Sequence, residues 1–298
     1  MVAVSCIEVT NLSKSFDDGP VLSGVDLTVD EGEVLAVMGP NGVGKSVLFT
    51  CLAGSTHPSG GDVTVFGADP TDRSDTTSFL LQDALCSERL TGRENVRYFE
   101  RLHPAFTDDW QRYADRLGLD ALDKRVEDYS GGMTRKLELT IALAIDVPLY
   151  LLDEPTAALD LSTIQVVHQL LREKRDAGRT IVLSSHQPMD ADLADRIAFV
   201  ADGRVVATGT PETLFDDVPT VVETRLSNAD ALSELALADE VYPADGAVRA
   251  FLPDADGETA PAGVASSLPS AVSLVDRPTY TDLFTYYTRV VPTTAHDP

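Results

Sequence analysis

Apolar positions follow two different periods along this chain. Strict alternation marks Ile7-Glu8-Val9 and Val25-Asp26-Leu27-Thr28-Val29 as half-buried strands, with Asp17-Asp18-Gly19-Pro20 as a turn between them. Residues 1–32 therefore read as an antiparallel edge. Short, largely apolar runs at 33–38, at 149–154 ending in two carboxylates and at 180–186 ending in histidine read instead as buried strands. Helical spacing fills the intervals: a helix from Val47 to about Gly54, two more over 94–103 and 108–117, and one from 131 through Leu143. Thr91 with Glu94 forms the pattern of a capping box. Shorter strands are predicted at 62–66, after a Gly60-Gly61 turn, and at 78–82. Residues 197–200 and 204–207 flank Asp202-Gly203 as a hairpin.

The pattern changes beyond residue 218. Strands are predicted at 220–226, at Val241, at 248–252 and at 271–275, with helices at 229–237 and 280–290 and a polar loop at 253–263. The order β-α-β-β, room for a short helix, then β resembles a ferredoxin-like unit. The expected architecture is α/β: a main domain over 1–218 with an antiparallel β part and a helical part at about 83–145, and a small α+β accessory domain over 219–298.

Composition narrows the class. The net charge is −25, with 48 acidic and 23 basic residues, and no basic stripe is present to meet a nucleic acid. The five lysines are outnumbered by eighteen arginines, and 33 aspartates outnumber 15 glutamates. Such a surface is the one halophilic proteins carry, because it stays hydrated where salt screens its self-repulsion. Cys6, Cys51 and Cys86 are scattered and odd in number, which suits a reducing compartment rather than a disulfide framework or metal cluster. The greasiest stretch, 137–152, is interrupted by Glu138, Asp146 and Pro148 and does not read as a membrane span; residues 1–10 do not read as a secretory signal.

The candidate chemistry centres on residues 39–46, Gly-Pro-Asn-Gly-Val-Gly-Lys-Ser, a phosphate-binding loop between a buried strand and a helix. Gly39, Gly42 and Gly44 allow the backbone to curl around an anion, with Pro40, Asn41 and Val43 between them and Val47 opening the helix. The helix N-terminus adds positive potential. Lys45 can reach β- and γ-phosphates, and the Ser46 hydroxyl can ligate Mg²⁺. Asp153 and Glu154 close an apolar strand; Asp153 is placed to hold Mg²⁺, and Glu154 to act as general base toward a water. His186 ends another buried strand, where an open α/β sheet presents residues to its ligand crevice. Gln82 ends a third and can orient Mg²⁺ or the attacking water. Ser130, with Gly131 and Gly132, caps a helix and offers a second anion site. Phe16 is a candidate stacking platform for a purine, or a partly buried loop aromatic.

Taken in order, these motifs resemble the nucleotide-binding subunit of ATP-binding-cassette (ABC) transporters over about the first 215 residues. Residues 39–46 are similar to the Walker A loop, Gln82 to the Q-loop, and 129–133 to the signature sequence. Residues 149–154 match Walker B, Ala158-Leu159-Asp160 the D-loop, and His186 the switch histidine; Phe16 falls at the adenine-stacking position. Tyr129 and Met133 depart from the usual first and last signature residues. Tyr-Ser-Gly-Gly-Met, together with Leu-Thr-Gly-Arg-Glu-Asn at 90–95, looks like the drug-exporter branch, and 277–284 like the closing helix of its subunits. The acidic composition points to a halophilic archaeal member.

The resemblance implies an ATPase with ATP and Mg²⁺ as cofactors. ATP would lie between the Walker A loop of one copy and Ser130, Gly131, Gly132 and Asp160 of another, so the chain would act as a homodimer. It would also imply a separate transmembrane permease partner, at the cytoplasmic face of the cell membrane, with the helical insertion passing the motion on. Within the same resemblance an importer ATPase stays open. Outside it stand a soluble ABC ATPase uncoupled from transport and a non-hydrolytic P-loop module.

Overall fold

The computed structural model describes residues 4–81, 85–233, 235–244, 246–253 and 268–294. Its first layer is an antiparallel sheet of order β2-β1-β4, formed by β1 (Ser5–Phe16), β2 (Gly19–Asp30) and β4 (Gly60–Val65). Its centre is a six-stranded sheet of order β5-β6-β7-β3-β8-β9: β5 (Thr77–Leu80), β6 (Leu149–Leu152), β7 (Thr180–Ser185), β3 (Val34–Met38), β8 (Arg196–Ala201) and β9 (Arg204–Gly209). All pairings are parallel except the β8–β9 hairpin. The largely apolar runs are explained by this placement, because the parallel strands are covered on both faces. Along β3, Leu35 and Val37 face the layer built from β1, β2 and α1 (Lys45–Leu52), while Val34, Ala36 and Met38 face the helices opposite.

Those helices are α4 (Gly131–Ala144) and α5 (Leu161–Asp176). A side core joins α4 to α2 (Gly92–Leu102) and α3 (Trp110–Leu117), burying Val96, Ala114, Leu137 and Ile141. The capping box at the start of α2 is formed, with Thr91 and Glu94 bonding each other's backbone N–H groups. Among the described residues no helix is long and apolar enough to cross a membrane.

Past the short α6 (Pro211–Asp216), a four-stranded antiparallel sheet has the order β11-β12-β10-β13. It comprises β10 (Val221–Thr224), β11 (Val241–Ala244), β12 (Ala247–Phe251) and β13 (Ser273–Leu274), with α7 (Ala229–Ser233) between β10 and β11. The final helix, α8 (Tyr280–Thr285), continues through a π-turn at Tyr286–Val290 to Val291–Thr294. It serves two cores. Leu283 and Tyr287 pack under the six-stranded sheet, Tyr287 stacking on Phe199 at 4.9 Å, whereas Val290 joins Tyr242 and Phe251 of the smaller sheet. Arg249 and Asp282 bind this junction, with Arg249 Nη1 2.9 Å from Asp282 Oδ2 and the Tyr242 hydroxyl donating to Asp282 Oδ1 at 2.8 Å. The sequence division at residue 218 assigned this helix to the second unit alone.

Three predicted elements differ. Gly60 and Gly61 belong to β4 and form no turn: a Cβ on Gly61 would meet Asn11 O at 2.2 Å, where β1 shifts register between Thr10 and Ser13. The strand predicted at 271–275 pairs only at Ser273–Leu274, and the helix predicted over 229–237 is Ala229–Ser233. Gln82 lies outside the described residues.

Candidate nucleotide site

β3 delivers the chain to the glycine-rich loop, and α1 carries it away from Lys45. Two glycines there are required by contact. A Cβ on Gly39 would lie 2.3 Å from Val200 O, and Gly44, at φ +102°, is backed by the Leu22 side chain at 2.7 Å. The loop is thus wedged between β8 and β2. It lines a cleft of about 380 Å³ with Val21, Asn41, Gly42, Gly44, Lys45, Ser46, Val47 and Glu154.

Lys45 is buried, and its ammonium donates to Gly39 O at 2.8 Å and Pro40 O at 2.9 Å. Burial draws its pKa below the ordinary lysine value, opposed by the carboxylates of Glu154 and Asp153. Glu154 Oε1 stands 3.8 Å from Lys45 Nζ and 3.1 Å from His186 Nδ1. The chain reaches this position through a left-handed backbone at Glu154, φ 48°, which is rare for a residue with a side chain. Ser184, on β7, holds that turn: its hydroxyl receives Glu154 N–H at 2.9 Å and donates to the Asp153 carboxylate.

Arg135, on α4, was not singled out from sequence. It is buried and donates to Leu81 O at 3.0 Å, Glu138 Oε2 at 3.0 Å, Asp153 O at 2.7 Å and Glu154 O at 2.8 Å. It joins the end of β6, the segment after β5 and the helix behind Ser130. An arginine within one turn of a helix start ordinarily reads as a solvated charge; only the adjoining Glu138 on a buried face hints otherwise. Val21 was missed for a different reason, since it is a wall supplied from a separate sheet.

The remaining predicted residues lie apart from the cleft lining. Ser130 caps α4, accepting Met133 N–H at 3.3 Å. Gly131 and Gly132 follow on exposed to half-buried backbone packed against the loop before α5; a Cβ on Gly132 would meet Ala158 O at 2.8 Å. Tyr129 turns its hydroxyl inward, donating to Ala121 O at 2.7 Å. Asp160 caps α5, and its carboxyl is held well below the usual range by Ser162 Oγ, then Thr163 N–H and Oγ1. Phe16 is half-exposed at the end of β1, with Lys14 Nζ 5.0 Å over its ring. Within one chain, then, Lys45, Ser46, Glu154 and His186 converge, while Ser130, Gly131, Gly132, Asp160 and Phe16 do not join them.

A glycine-rich loop wedged into a parallel sheet, a buried lysine at its helix start and carboxylates at the end of β6, two strands away in the same sheet, define a P-loop nucleotide-binding ATPase. Residues 22–157 match the family model described as ABC transporter. The chain is 37% identical over 242 residues to the daunorubicin/doxorubicin resistance ATP-binding protein DrrA of Streptomyces peucetius, covering 76% of this chain and 72% of that protein. It is 36% identical to the Nod factor export ATP-binding protein I of Rhizobium meliloti, covering 71% of this chain and 66% of that one. Among solved structures, the dimeric ABC transporter cassette MJ0796 superposes with a TM-score of 0.63 at 26% identity, covering 68% of this chain and 98% of that one. The chain belongs to the ABC transporter family, as an ATP-binding subunit with the P-loop ATPase fold.

Proposed function

We propose that this chain hydrolyses ATP as a homodimer and thereby drives export through a separate membrane permease, docked at the cytoplasmic face of the membrane. The observation that carries the reading is the split of the site. The cleft at Lys45 is lined by the glycine-rich loop, Val21 and Glu154 but not by Ser130, which caps a helix elsewhere on the same chain. Two copies placed head to tail supply each cleft with the other's Ser130, and relatives named for daunorubicin/doxorubicin resistance and for Nod factor export support the direction.

In this reading Lys45 exchanges the carbonyls of Gly39 and Pro40 for β- and γ-phosphate oxygens, and Phe16 stacks on the base. Glu154 accepts a proton from the attacking water, and His186 fixes the carboxylate and the γ-phosphate. Asp160 approaches the partner's nucleotide across the dimer. Among the described residues no three His, Cys, Asp or Glu side chains gather to hold a metal. That suits Mg²⁺, which takes one or two protein oxygens and fills its shell from phosphate and water. The Ser46 hydroxyl and Asp153 carboxylate, with Gln82, would hold it, and when bound it neutralises phosphate charge. Release of phosphate removes the link between the copies, which part as a ligand-driven population shift. The smaller sheet's order, with β10 and β12 central and antiparallel, supports a ferredoxin-like accessory domain.

Ser130→Ala tests the shared site. Turnover is expected to fall about a hundredfold, as for loss of one preorganised donor, with ATP affinity of the monomer preserved. Turnover assays beside equilibrium binding of ATP decide it; full turnover would remove Ser130 from the site. Affinity capture of the native complex should bring down an integral membrane protein.

The charge pattern supports a salt-rich cytoplasm, as in a halophilic archaeon. Far-ultraviolet circular dichroism is expected to show loss of structure as molar salt is dialysed away, because unscreened repulsion among 48 acidic side chains then opposes the compact state. Full structure in dilute buffer would refute that origin.

A further inference from the structure

The reading above gives no role to the buried carboxylate of Asp190. Asp190 lies in a 3₁₀ turn, Pro188–Leu193, shortly after β7 and His186. It is 1% exposed and receives three side-chain donors. Oδ2 accepts from Ser185 Oγ at 2.6 Å and from Thr156 Oγ1 at 2.7 Å, and Oδ1 lies 2.7 Å from His168 Nε2. All three partners are themselves buried. Ser185 Oγ also receives the N–H of Gln187 at 2.9 Å, so the hydroxyl's geometry is fixed from both sides.

Location gives this network its meaning. Ser185 directly precedes His186. Thr156 is two residues beyond Glu154. His168 belongs to α5, whose first turn is capped by Asp160. One carboxylate therefore fastens together the segments that carry the general base, the switch histidine and the D-loop aspartate. An apolar side chain could fill the same volume without the desolvation cost of a buried charge. A satisfied charged network instead imposes direction, because each hydroxyl must point at the acceptor for the charge to be tolerated.

We propose that Asp190 is a positioning residue for ATP hydrolysis, setting the Glu154–His186 pair at its separation of 3.1 Å by clamping Thr156 and Ser185 on either side of it. The proposal rests on the reading of Glu154 and His186 as the hydrolytic pair. It fails separately from that reading: Glu154→Gln loses turnover whether or not Asp190 has a role.

The test is steady-state ATP hydrolysis by the full chain carrying Asp190→Asn, with thermal unfolding measured in parallel. A displaced catalytic pair predicts a kcat lower by roughly ten- to a hundredfold, with KM for ATP within about twofold, since the nucleotide loop is untouched. Thr156→Val and Ser185→Ala are each expected to lower kcat less, and to add nothing when combined with Asp190→Asn, because they remove arms of a clamp already broken. His168→Gln, whose amide nitrogen can occupy the Nε2 position, should retain the rate that His168→Leu loses. Unchanged kcat in Asp190→Asn overturns the proposal. So do rate losses that multiply across the combined variants, or a fall in kcat that only follows a fall in melting temperature. Should Asp190→Asn fail to fold, Thr156→Val and Ser185→Ala decide alone: lower kcat at unchanged KM and melting temperature supports the clamp, and unchanged kcat refutes it.

Discussion

Glu154→Gln is expected to stop turnover while leaving ATP bound. Loss of a general base costs on the order of a hundred- to ten-thousandfold, and glutamine cannot accept the water's proton at neutral pH. The substitution keeps the side chain's volume at a position where the backbone is already committed to a left-handed turn held by Ser184. Binding is expected to hold or improve. The wild-type cleft sets the carboxylates of Asp153 and Glu154 beside Lys45, and removing one negative charge relieves their repulsion of a polyphosphate. With the link between copies no longer consumed, a dimer should accumulate in the presence of Mg-ATP. Phosphate release, equilibrium ATP binding and size-exclusion chromatography with and without nucleotide measure the three parts. Unimpaired turnover would refute the base role, and turnover lost together with ATP binding would place Glu154 in the loop's support instead.

Much of this site could be read before any coordinates, for a physical reason. Residues whose role depends on local backbone carry their signal in neighbouring residues. Asp153 and Glu154 stand out because two acids end an apolar strand, and Gly39 to Lys45 because a strand, a flexible loop and a helix start adjoin. The parallel strands were legible for the same reason, since burial on both faces leaves a largely apolar run. Val21, Arg135 and Asp190 gave no such signal, because each also joins the site through residues distant in the chain. Arg135 reaches Asp153 and Glu154 from α4, and Asp190 reaches Thr156 and His168. Gly60 and Gly61 misled in the opposite sense. Gly61 answers a close approach by β1, which has the same local signature as a turn. The final helix was legible as a helix, but its sharing between two cores was not, because amphipathic spacing names a buried face without naming what buries it.

Arg135→Met should cost more than any other single change considered on the side of stability. The guanidinium is 4% exposed and gives four hydrogen bonds: two from Nη1, to Leu81 O and Glu138 Oε2, and two from Nη2, to the carbonyls of Asp153 and Glu154. Methionine fills much of the volume but takes the cationic partner from the buried Glu138 carboxylate, whose Oε1 keeps the Leu85 N–H at 3.1 Å, and leaves three carbonyls without this donor. Breaking one side of a buried ion pair costs about 3–5 kcal/mol, enough to threaten a domain of ordinary stability. Arg135→Lys should recover little, because one ammonium on a flexible stem cannot span acceptors that a planar fork reaches in two directions. The double variant Arg135→Met/Glu138→Leu separates the two roles. Replacing the whole pair by apolar groups is expected to restore most of the stability in urea unfolding, since no buried charge is left uncompensated. Turnover should stay low in the same protein, because the backbone of Asp153 and Glu154 still lacks the donors that fix it beneath the cleft. Recovery of both stability and turnover would reduce Arg135 to a packing role. Recovery of stability alone would make it the strut that holds the end of β6 in working geometry.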